Sequence, residues 1–176
     1  MAIDESKTFT PINIAVLTVS DTRTPETDTS GDILVDRLKS AGHNLAERAI
    51  VKDDAGLLRE RIEQWIDDPA IDAIISTGGT GLTGRDVTPE ALARVEGGRD
   101  IPGFGELFRW LSFQTIGTST VQSRACAIVA RGTYIFALPG SNGAVKDGWD
   151  GILAEQLDSR NRPCNFVELM PRLREV

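Results

Sequence analysis

The sequence AIISTGGTGLTGRDVTPEA, residues 73–91, joins a short apolar run to a glycine-rich loop and then to the start of a helix. Residues 73–76 have the apolar, β-branched character of a buried strand. Three glycines within residues 78–81 allow the backbone to approach a ligand closely and to turn its N–H groups toward it. Thr88 and Pro89 are then the residue types of a helix cap and a first helical position. The stretch therefore predicts a strand, a long loop and a helix, in that order.

Strand and helix signals alternate on both sides of this stretch, which is the order of a parallel sheet covered by helices on both faces. We predict the α/β class, with three α/β/α layers around a mostly parallel central sheet, in one domain over residues 1–176. Apolar runs predict further strands at residues 12–19, 45–51, 126–130 and 133–138. Helices are predicted from a Ser30 cap to about Ala41, from an Asp53 or Asp54 cap to before Pro69, over residues 104–113 and around residues 145–153.

Charge and hydropathy argue against several functions. The chain has 19 Lys and Arg against 26 Asp and Glu, and this net charge of −7 argues against nucleic acid and against an anionic membrane surface as partners. No run approaches the roughly 18 apolar residues of a membrane-spanning helix. Residues 1–10 lack the features of a signal peptide, so we predict a cytoplasmic location. We also expect residues 1–10 to form a flexible N-terminus.

The single histidine and the spacing of the cysteines exclude several kinds of catalytic and metal site. His43 follows Gly42, which has the position of a helix-ending residue, so we predict that it lies at the surface. Ser-His-Asp and Cys-His arrangements and histidine-rich metal sites are therefore excluded. Cys126 and Cys164 form no CxxC motif, which favours reduced thiols over a disulfide or a zinc site.

The loops that follow Val19, Ser76 and Leu138 are the expected ligand-binding loops. In an open parallel sheet the carboxyl ends of the strands open onto one edge, and ligands bind there. The glycine-rich loop fits neither common nucleotide motif, because no lysine follows its last glycine as in a Walker A sequence and no helix follows at once as in GxGxxG. A plain connector and a phosphate cradle both remain open for it.

The carboxylates near these loops each have a structural and a functional interpretation. Asp86 is either a turn residue or a metal ligand, and only one of Asp53 and Asp54 is needed to cap a helix. A Mg²⁺ ion prefers carboxylate and phosphate oxygens and would allow both groups to share one site. Cations suited to an anionic ligand are also present, at Arg23, Arg85, Arg109, Arg124 and Lys146.

Several motifs taken together resemble one family over nearly the whole chain. They are TVSD at residues 18–21, TGGTG at 77–81, RDVTPEA at 85–91, PGFGE at 102–106, SR at 123–124 and LPG at 138–140. With these motifs the chain is similar to the MoaB and MogA proteins of molybdenum cofactor biosynthesis, and the stretches 122–124 and 162–166 look more like MoaB.

The resemblance implies a molybdopterin-binding domain that forms homotrimers or homohexamers. It implies adenylylation of molybdopterin with Mg-ATP, release of pyrophosphate, and a partner protein for molybdate insertion. It also implies that Asp53 and Asp86 are catalytic, and both are retained here. We expect these two carboxylates to bind the Mg²⁺ ion of the nucleotide. The residues implied to contact the pterin, its phosphate or the nucleotide are Ser20, Asp21, Gly78, Gly79, Thr80, Gly81, Arg85, Thr88, Ser123, Arg124, Pro139, Gly140 and Ser141.

Two other functions remain open on the sequence. A carrier protein would use the same pocket to store or deliver molybdopterin without transferring AMP. A nucleotide- or flavin-binding domain would use the same sheet edge without a pterin. Pyrophosphate release separates the enzyme from the carrier, and absorption spectra of the purified protein test for a flavin.

Overall fold

A computed structural model describes residues 3–175, in which six strands form one sheet. The strands are β1 (Asn13–Val19), β2 (Asn44–Val51), β3 (Ala73–Thr77), β4 (Arg99–Asp100), β5 (Cys126–Ala130) and β6 (Thr133–Leu138). Their order across the sheet is β2-β1-β3-β6-β5-β4. The first four of these strands are parallel, β5 runs antiparallel to β6, and β4 runs antiparallel to β5. The predicted, mostly parallel sheet is confirmed.

Helices connect and cover the strands. They are α1 (Thr29–Ser40), α2 (Ala55–Ile66), α3 (Thr88–Leu92), α4 (Pro102–Ile116), α5 (Asn142–Gly148), α6 (Ala154–Gln156) and α7 (Phe166–Leu169). A π-helical turn over Trp149–Leu153 joins α5 to α6, and 3-10 turns cover Gly117–Gln122 and Met170–Arg172. None of the helices within residues 3–175 has the length and apolarity needed to cross a membrane.

Alternating side chains of the central strands fill two cores, one on each face of the sheet. On β1, Ile14 and Val16 belong to the core that includes residues of α1, α4 and α5, whereas Ala15 and Leu17 belong to the core that includes residues of α2 and α3. All four side chains are fully buried. A strand buried on both faces has a continuous apolar sequence, and the three predicted layers are confirmed.

Helix α1 begins with a different cap from the predicted one. Asp28 is the N-cap, and its carboxylate accepts a hydrogen bond from the N–H of Gly31 at 3.0 Å. The same buried carboxylate accepts from the hydroxyl of Thr18 at 2.8 Å and pairs with Arg48 at 2.8 Å. The prediction of Ser30 as the cap was wrong, because the partners on β1 and β2 favour a carboxylate at position 28.

The N-terminal segment is attached to the C-terminal part of the chain. The N–H of Asp4 donates to the carbonyl of Arg160 at 2.9 Å, and Arg162 pairs with the Asp4 carboxylate. Lys7 pairs with Glu168. Residues 3–10 therefore make contacts with the C-terminal part of the chain, and residues 1 and 2 lie outside the described part.

His43 is buried, so the prediction of a surface histidine was wrong. Its side chain packs between the rings of Phe9 and Trp149, with centroid separations of 5.2 and 6.3 Å. Its Nδ1 accepts a hydrogen bond from the N–H of Ile12 at 3.3 Å. Burial lowers the pKa of His43, although the charge of Asp158 opposes this shift. The neutral imidazole is therefore the form that suits the folded chain.

We expect the stability of the protein to fall as the pH drops below about 6.5, the ordinary pKa of histidine. The unfolded chain takes up a proton on His43 in this range, and the folded chain, whose histidine pKa is lowered, does not. Because His43 is the only histidine, the slope attributable to it is at most ~1.4 kcal/mol per pH unit. Urea unfolding between about pH 5 and 7.5 measures it.

His43→Asn is the matched control for this experiment, because the amide oxygen can still accept from the N–H of Ile12 and does not titrate. Its stability should vary less over the same pH range. The same pH dependence in both proteins would show that another group is responsible.

Candidate functional site at the carboxyl edge of the sheet

The loops after β1, β3 and β6 meet at the carboxyl edge of the sheet, as predicted. The N–H of Gly78 donates to the carbonyl of Leu138 at 2.9 Å. Gly78 has a φ of +111°, and a Cβ at this position would lie 2.2 Å from the carbonyl oxygen of Val19. Because only glycine fits here, the glycine loop (residues 78–84) packs directly against the end of β1.

Asp86 holds the glycine loop in place through its carboxylate. Its Oδ1 accepts from the N–H of Gly81 at 2.9 Å, and its Oδ2 accepts from the N–H and the hydroxyl of Thr83 at 2.9 and 2.6 Å. Burial pushes the pKa of Asp86 upward, but the hydrogen bonds from Thr83 and Gly81 hold it below the usual value. A carboxylate has about four acceptor positions, so one direction is left for a ligand.

Arg124 and Thr88 brace the same loop. The Nε and Nη2 groups of Arg124 donate to the carbonyls of Gly81 and Asp86, both at 2.7 Å, and its Nη1 pairs with an acidic side chain of α3. Thr88 is the first residue of α3 rather than its cap, and its hydroxyl donates to the carbonyl of Gly78 at 2.9 Å. The polar groups of both side chains are therefore used to hold the loop.

Asp53 and Asp54 have different roles, since only one of them caps α2. Asp54 is the cap of α2, and its Oδ1 accepts from two backbone N–H groups of the first turn, both at 2.9 Å. The Asp53 carboxylate is not needed for this cap, and its Oδ1 lies 3.5 Å from the position of a Cβ on Gly79. Burial and, next, the negative charge of Asp21 raise the pKa of Asp53. Asp53 is thus the carboxylate available beside the glycine loop.

Asp21 and Arg85 form an ion pair that joins two of the loops. The Nε of Arg85 donates to Oδ2 of Asp21 at 3.0 Å, and Oδ1 of Asp21 accepts from the backbone N–H of Asp53 at 3.3 Å. The hydrogen bond from Arg85 lowers the pKa of Asp21. Exposed ion pairs stabilise a fold only weakly, so both partners are available to exchange for the charges of a ligand.

Three cavities lie along this edge and share walls. The glycine-loop cavity, about 290 Å³, is enclosed by the loop and by the ends of β1 and β6. The β2 cavity, about 640 Å³, lies between β2 and the loop after β1, and it shares Ser20 and Arg23 with the glycine-loop cavity. The α4 cavity, about 210 Å³, lies beside Phe108 and shares Thr80 and Pro139 with the glycine-loop cavity.

Thr80 carries a buried polar group that has no protein partner. Its side chain is 2% exposed, and its hydroxyl makes no hydrogen bond within residues 3–175. Thr80 lines both the glycine-loop cavity and the α4 cavity. A buried hydroxyl without a partner is costly, and a ligand or water that fills the cavity would supply one.

The other predicted contact residues lie around the same cavities. Ser20 lines the glycine-loop cavity and the β2 cavity, although its hydroxyl also accepts from a loop N–H at 3.1 Å. Gly140 lines the glycine-loop cavity. Ser123 and Ser141 line the α4 cavity, and Ser141 also caps α5.

Two residues that line a cavity at this edge were not predicted from the sequence. One predicted cation does not lie at these cavities. Ile50 and Lys52 line the β2 cavity. The available signal was their closeness in sequence to Asp53, because Ile50 lies near the end of β2 and Lys52 lies just beyond it. Arg109 instead donates to the carbonyl of Ala125 at 3.0 Å.

The carboxylates at this edge suit a metal ion that keeps water and phosphate oxygens among its ligands. No group of three or more His, Cys, Asp and Glu side chains in the described part of the chain is placed to hold a metal ion. Mg²⁺ is usually bound by only one or two carboxylates together with phosphate oxygens and water. The cysteines add nothing to this set, since both are free thiols and burial raises the pKa of Cys126 to about 11.

Fold and site together define an α/β domain that brings backbone N–H groups, arginines and carboxylates to one ligand-binding edge. A family model described as "Probable molybdopterin binding domain" matches residues 15–159. The chain belongs to this family of molybdenum cofactor biosynthesis proteins, which confirms the resemblance inferred from its motifs.

Individual relatives agree with this assignment. The chain is 50% identical over 161 residues to molybdenum cofactor biosynthesis protein B of Escherichia coli (strain K12), which covers 92% of this chain and 94% of that protein. A crystal structure of a molybdenum cofactor biosynthesis protein B matches with a TM-score of 0.86 and 34% identity, over 97% of this chain and all of the other. A structure of MogA matches with a TM-score of 0.75 and 29% identity, over 92% and 99%.

Asp86→Asn should loosen the glycine loop. An amide NH₂ cannot accept a hydrogen bond, so at least one of the bonds from Gly81 and Thr83 is lost. We expect amide hydrogen exchange at these two residues to become about 10-fold faster or more, which corresponds to ~1.4 kcal/mol. Asp53→Asn is the control and should leave both amides protected. Equal protection in wild type and Asp86→Asn would contradict this role.

The pKa of Asp53 should move in opposite directions in two variants. Asp21→Asn removes a negative charge that raises the pKa of Asp53, so the pKa should fall. Arg85→Gln removes a positive charge that lowers it, so the pKa should rise. Carboxyl ¹³C NMR titration measures both shifts. Shifts of the same sign would show that the carboxylate does not sense these charges.

Proposed function

We propose that this protein adenylylates molybdopterin with Mg-ATP and thereby acts in molybdenum cofactor biosynthesis. The observation that carries the proposal is the placement of Asp53, a carboxylate not used in capping, beside the glycine loop, whose backbone lines a cavity of about 290 Å³. Family membership and the similarity to molybdenum cofactor biosynthesis protein B support the pathway.

The residues present suit a reaction that needs no general base. A terminal phosphate oxygen of molybdopterin, already ionised near neutral pH, would form a bond to the α-phosphorus of ATP. The bond from that phosphorus to the bridging oxygen would break, and pyrophosphate would leave with the electron pair. The protein's tasks are then to align two polyanions and to offset their charge. The histidine His43 is buried and has a lowered pKa. It has no role at this edge, which is consistent with a reaction that needs no general base.

Asp53 and Asp86 would hold the magnesium ion, since both offer the hard oxygen ligands that it prefers. Asp53 contributes an uncommitted carboxylate, and Asp86 contributes the acceptor position that its three loop hydrogen bonds leave. Bound Mg²⁺ would offset charge on the phosphates. Arg85, once released from Asp21, would contact a phosphate. Another phosphate would be oriented by those N–H groups of the glycine loop that do not already donate within the protein, as those of Gly78, Gly81 and Thr83 do.

We also propose that the protein forms a homotrimer or homohexamer and passes its product to a molybdate-insertion partner protein. Helix α4 supports an interface between copies, because it exposes large apolar side chains at helical spacing. Trp110, Phe113 and Ile116 are 62%, 51% and 55% exposed. Exposed apolar groups in such a row are typical of interaction surfaces. A cytoplasmic location remains a prediction.

Asp53→Asn should lower kcat for pyrophosphate release from Mg-ATP and molybdopterin by roughly 10² to 10³, by analogy with the loss of one charge-stabilising group. Molybdopterin affinity should stay within about twofold, because the carboxylate acts on the nucleotide. Chelation of Mg²⁺ should abolish release in the wild type.

Asp54→Asn is the matched control, since asparagine caps a helix as well as aspartate does. This neighbouring variant should retain wild-type turnover. Tight molybdopterin binding by the wild type without any pyrophosphate release would instead identify a carrier protein, and a bound flavin spectrum would identify the second alternative.

A further inference from the structure

Glu90 is an acidic side chain beside the candidate site that nothing above assigns a function. It lies in the first turn of α3, and its carboxylate pairs with the Nη1 group of Arg124. Both side chains are partly exposed, and exposed ion pairs stabilise a fold only weakly. The other contacts of Arg124 show what else this pair does.

Arg124 links the glycine loop to Asp86, which follows the loop. The backbone N–H of Arg124 donates to the carbonyl of Thr80 at 2.9 Å, and its Nε donates to the carbonyl of Gly81 at 2.7 Å. Its Nη2 donates to the backbone carbonyl of Asp86 at 2.7 Å. A single residue therefore fixes the first half of the loop relative to the residue that carries the candidate metal-binding carboxylate.

The peptide unit between Thr80 and Gly81 connects Arg124 to the side chain of Asp86. In a trans peptide unit the C=O and N–H groups point in opposite directions. The carbonyl of this unit accepts from the N–H of Arg124, and its N–H donates to Oδ1 of Asp86 at 2.9 Å. Arg124 thus holds both the backbone of Asp86 and the peptide unit that orients the Asp86 carboxylate.

The position of Glu90 is tied to the same loop. Thr88, two residues earlier in α3, donates its hydroxyl to the carbonyl of Gly78 at 2.9 Å. Ala91, the residue after Glu90, is fully buried. The carboxylate of Glu90 is therefore presented to Arg124 from a helical turn that is attached to the core and to the glycine loop.

We propose that Glu90 is a positioning residue for adenylyl transfer, an inference that rests on the function proposed above. Its carboxylate keeps the guanidinium of Arg124 on the backbone carbonyls. A guanidinium binds carboxylates strongly, often through two hydrogen bonds. Without Glu90, the Nη1 group of Arg124 would be released to bind the carboxylate of Asp86. The acceptor position that the three loop hydrogen bonds leave on Asp86 would then be lost to a metal ion.

Glu90→Gln tests this role, because the amide keeps the shape of the side chain and removes its charge. We expect amide hydrogen exchange at Gly81 in the free protein to become about 5-fold faster or more. The kcat for pyrophosphate release should fall roughly 10-fold, less than after direct loss of a charge-stabilising group. The Mg²⁺ concentration at half-maximal turnover should rise. The KM for molybdopterin and the midpoint of urea unfolding should stay close to the wild-type values, since the pair is exposed.

A double variant tests whether Glu90 acts through Arg124. In a protein that already carries Arg124→Gln, the further change Glu90→Gln should alter kcat and Gly81 exchange by less than about twofold. Asp150→Asn is the matched control, since Asp150 forms a similarly exposed ion pair with Arg37 of α1 and not with the glycine loop. It should keep wild-type turnover and wild-type exchange at Gly81.

The remaining outcomes contradict the proposal in different ways. Wild-type kcat and Gly81 exchange in Glu90→Gln overturn the positioning role and leave adenylylation standing. A full additional loss in the Arg124→Gln background shows that Glu90 acts by another route. A lower unfolding midpoint, with kcat and KM both impaired, shows that the pair only stabilises the fold. Absence of pyrophosphate release by the wild type overturns both proposals.

Discussion

Close contact between the glycine loop and the neighbouring strand ends is the constraint on which the candidate site depends. A Cβ on Gly78 would lie 2.2 Å from the carbonyl oxygen of Val19, and a Cβ on Gly79 would lie 2.5 Å from the hydroxyl of Thr88. Since neither position has room for a side chain, the loop backbone itself forms the surface of the site. Asp86 then fixes the rest of the loop through three hydrogen bonds. A loop held in this way loses little conformational freedom when a ligand binds.

The proposed binding of phosphates has to be reconciled with the net charge of −7. In the proposed reaction, a few cations and backbone N–H groups, not a basic surface, would contact the phosphates. Arg85 is balanced by Asp21, and the charge of Asp21 in turn raises the pKa of Asp53. Carboxylates and cations therefore hold one another at the edge, and in the proposed reaction a phosphate with its metal would replace these partners. The local arrangement of charge, rather than the net charge, decides what binds.

The sheet could be predicted from the sequence because its central strands are buried on both faces and leave continuous apolar runs. The strand predicted at residues 12–19 is Asn13–Val19, and the one predicted at 45–51 is Asn44–Val51. Caps and isolated polar residues were less predictable. Asp28 is the cap because its carboxylate also has partners on two strands. His43 is buried by residues that lie far from it in the sequence on both sides. The residues next to these positions in the sequence do not indicate such distant contacts.

The sequence indicated which residue types would lie at the candidate site, but not which of them line a cavity and which support the loop. Local spacing sufficed to show that one of two adjacent aspartates is spare, because a helix needs one cap. The motifs did not separate residues that face a cavity from residues that support the loop. Arg124 supports the loop through the carbonyl of Gly81, 43 positions earlier in the chain, whereas Thr80 lines two cavities with its hydroxyl unpaired among the described residues. A motif residue can have either role, and only the contacts between distant segments distinguish a group that lines a cavity from one that supports the loop.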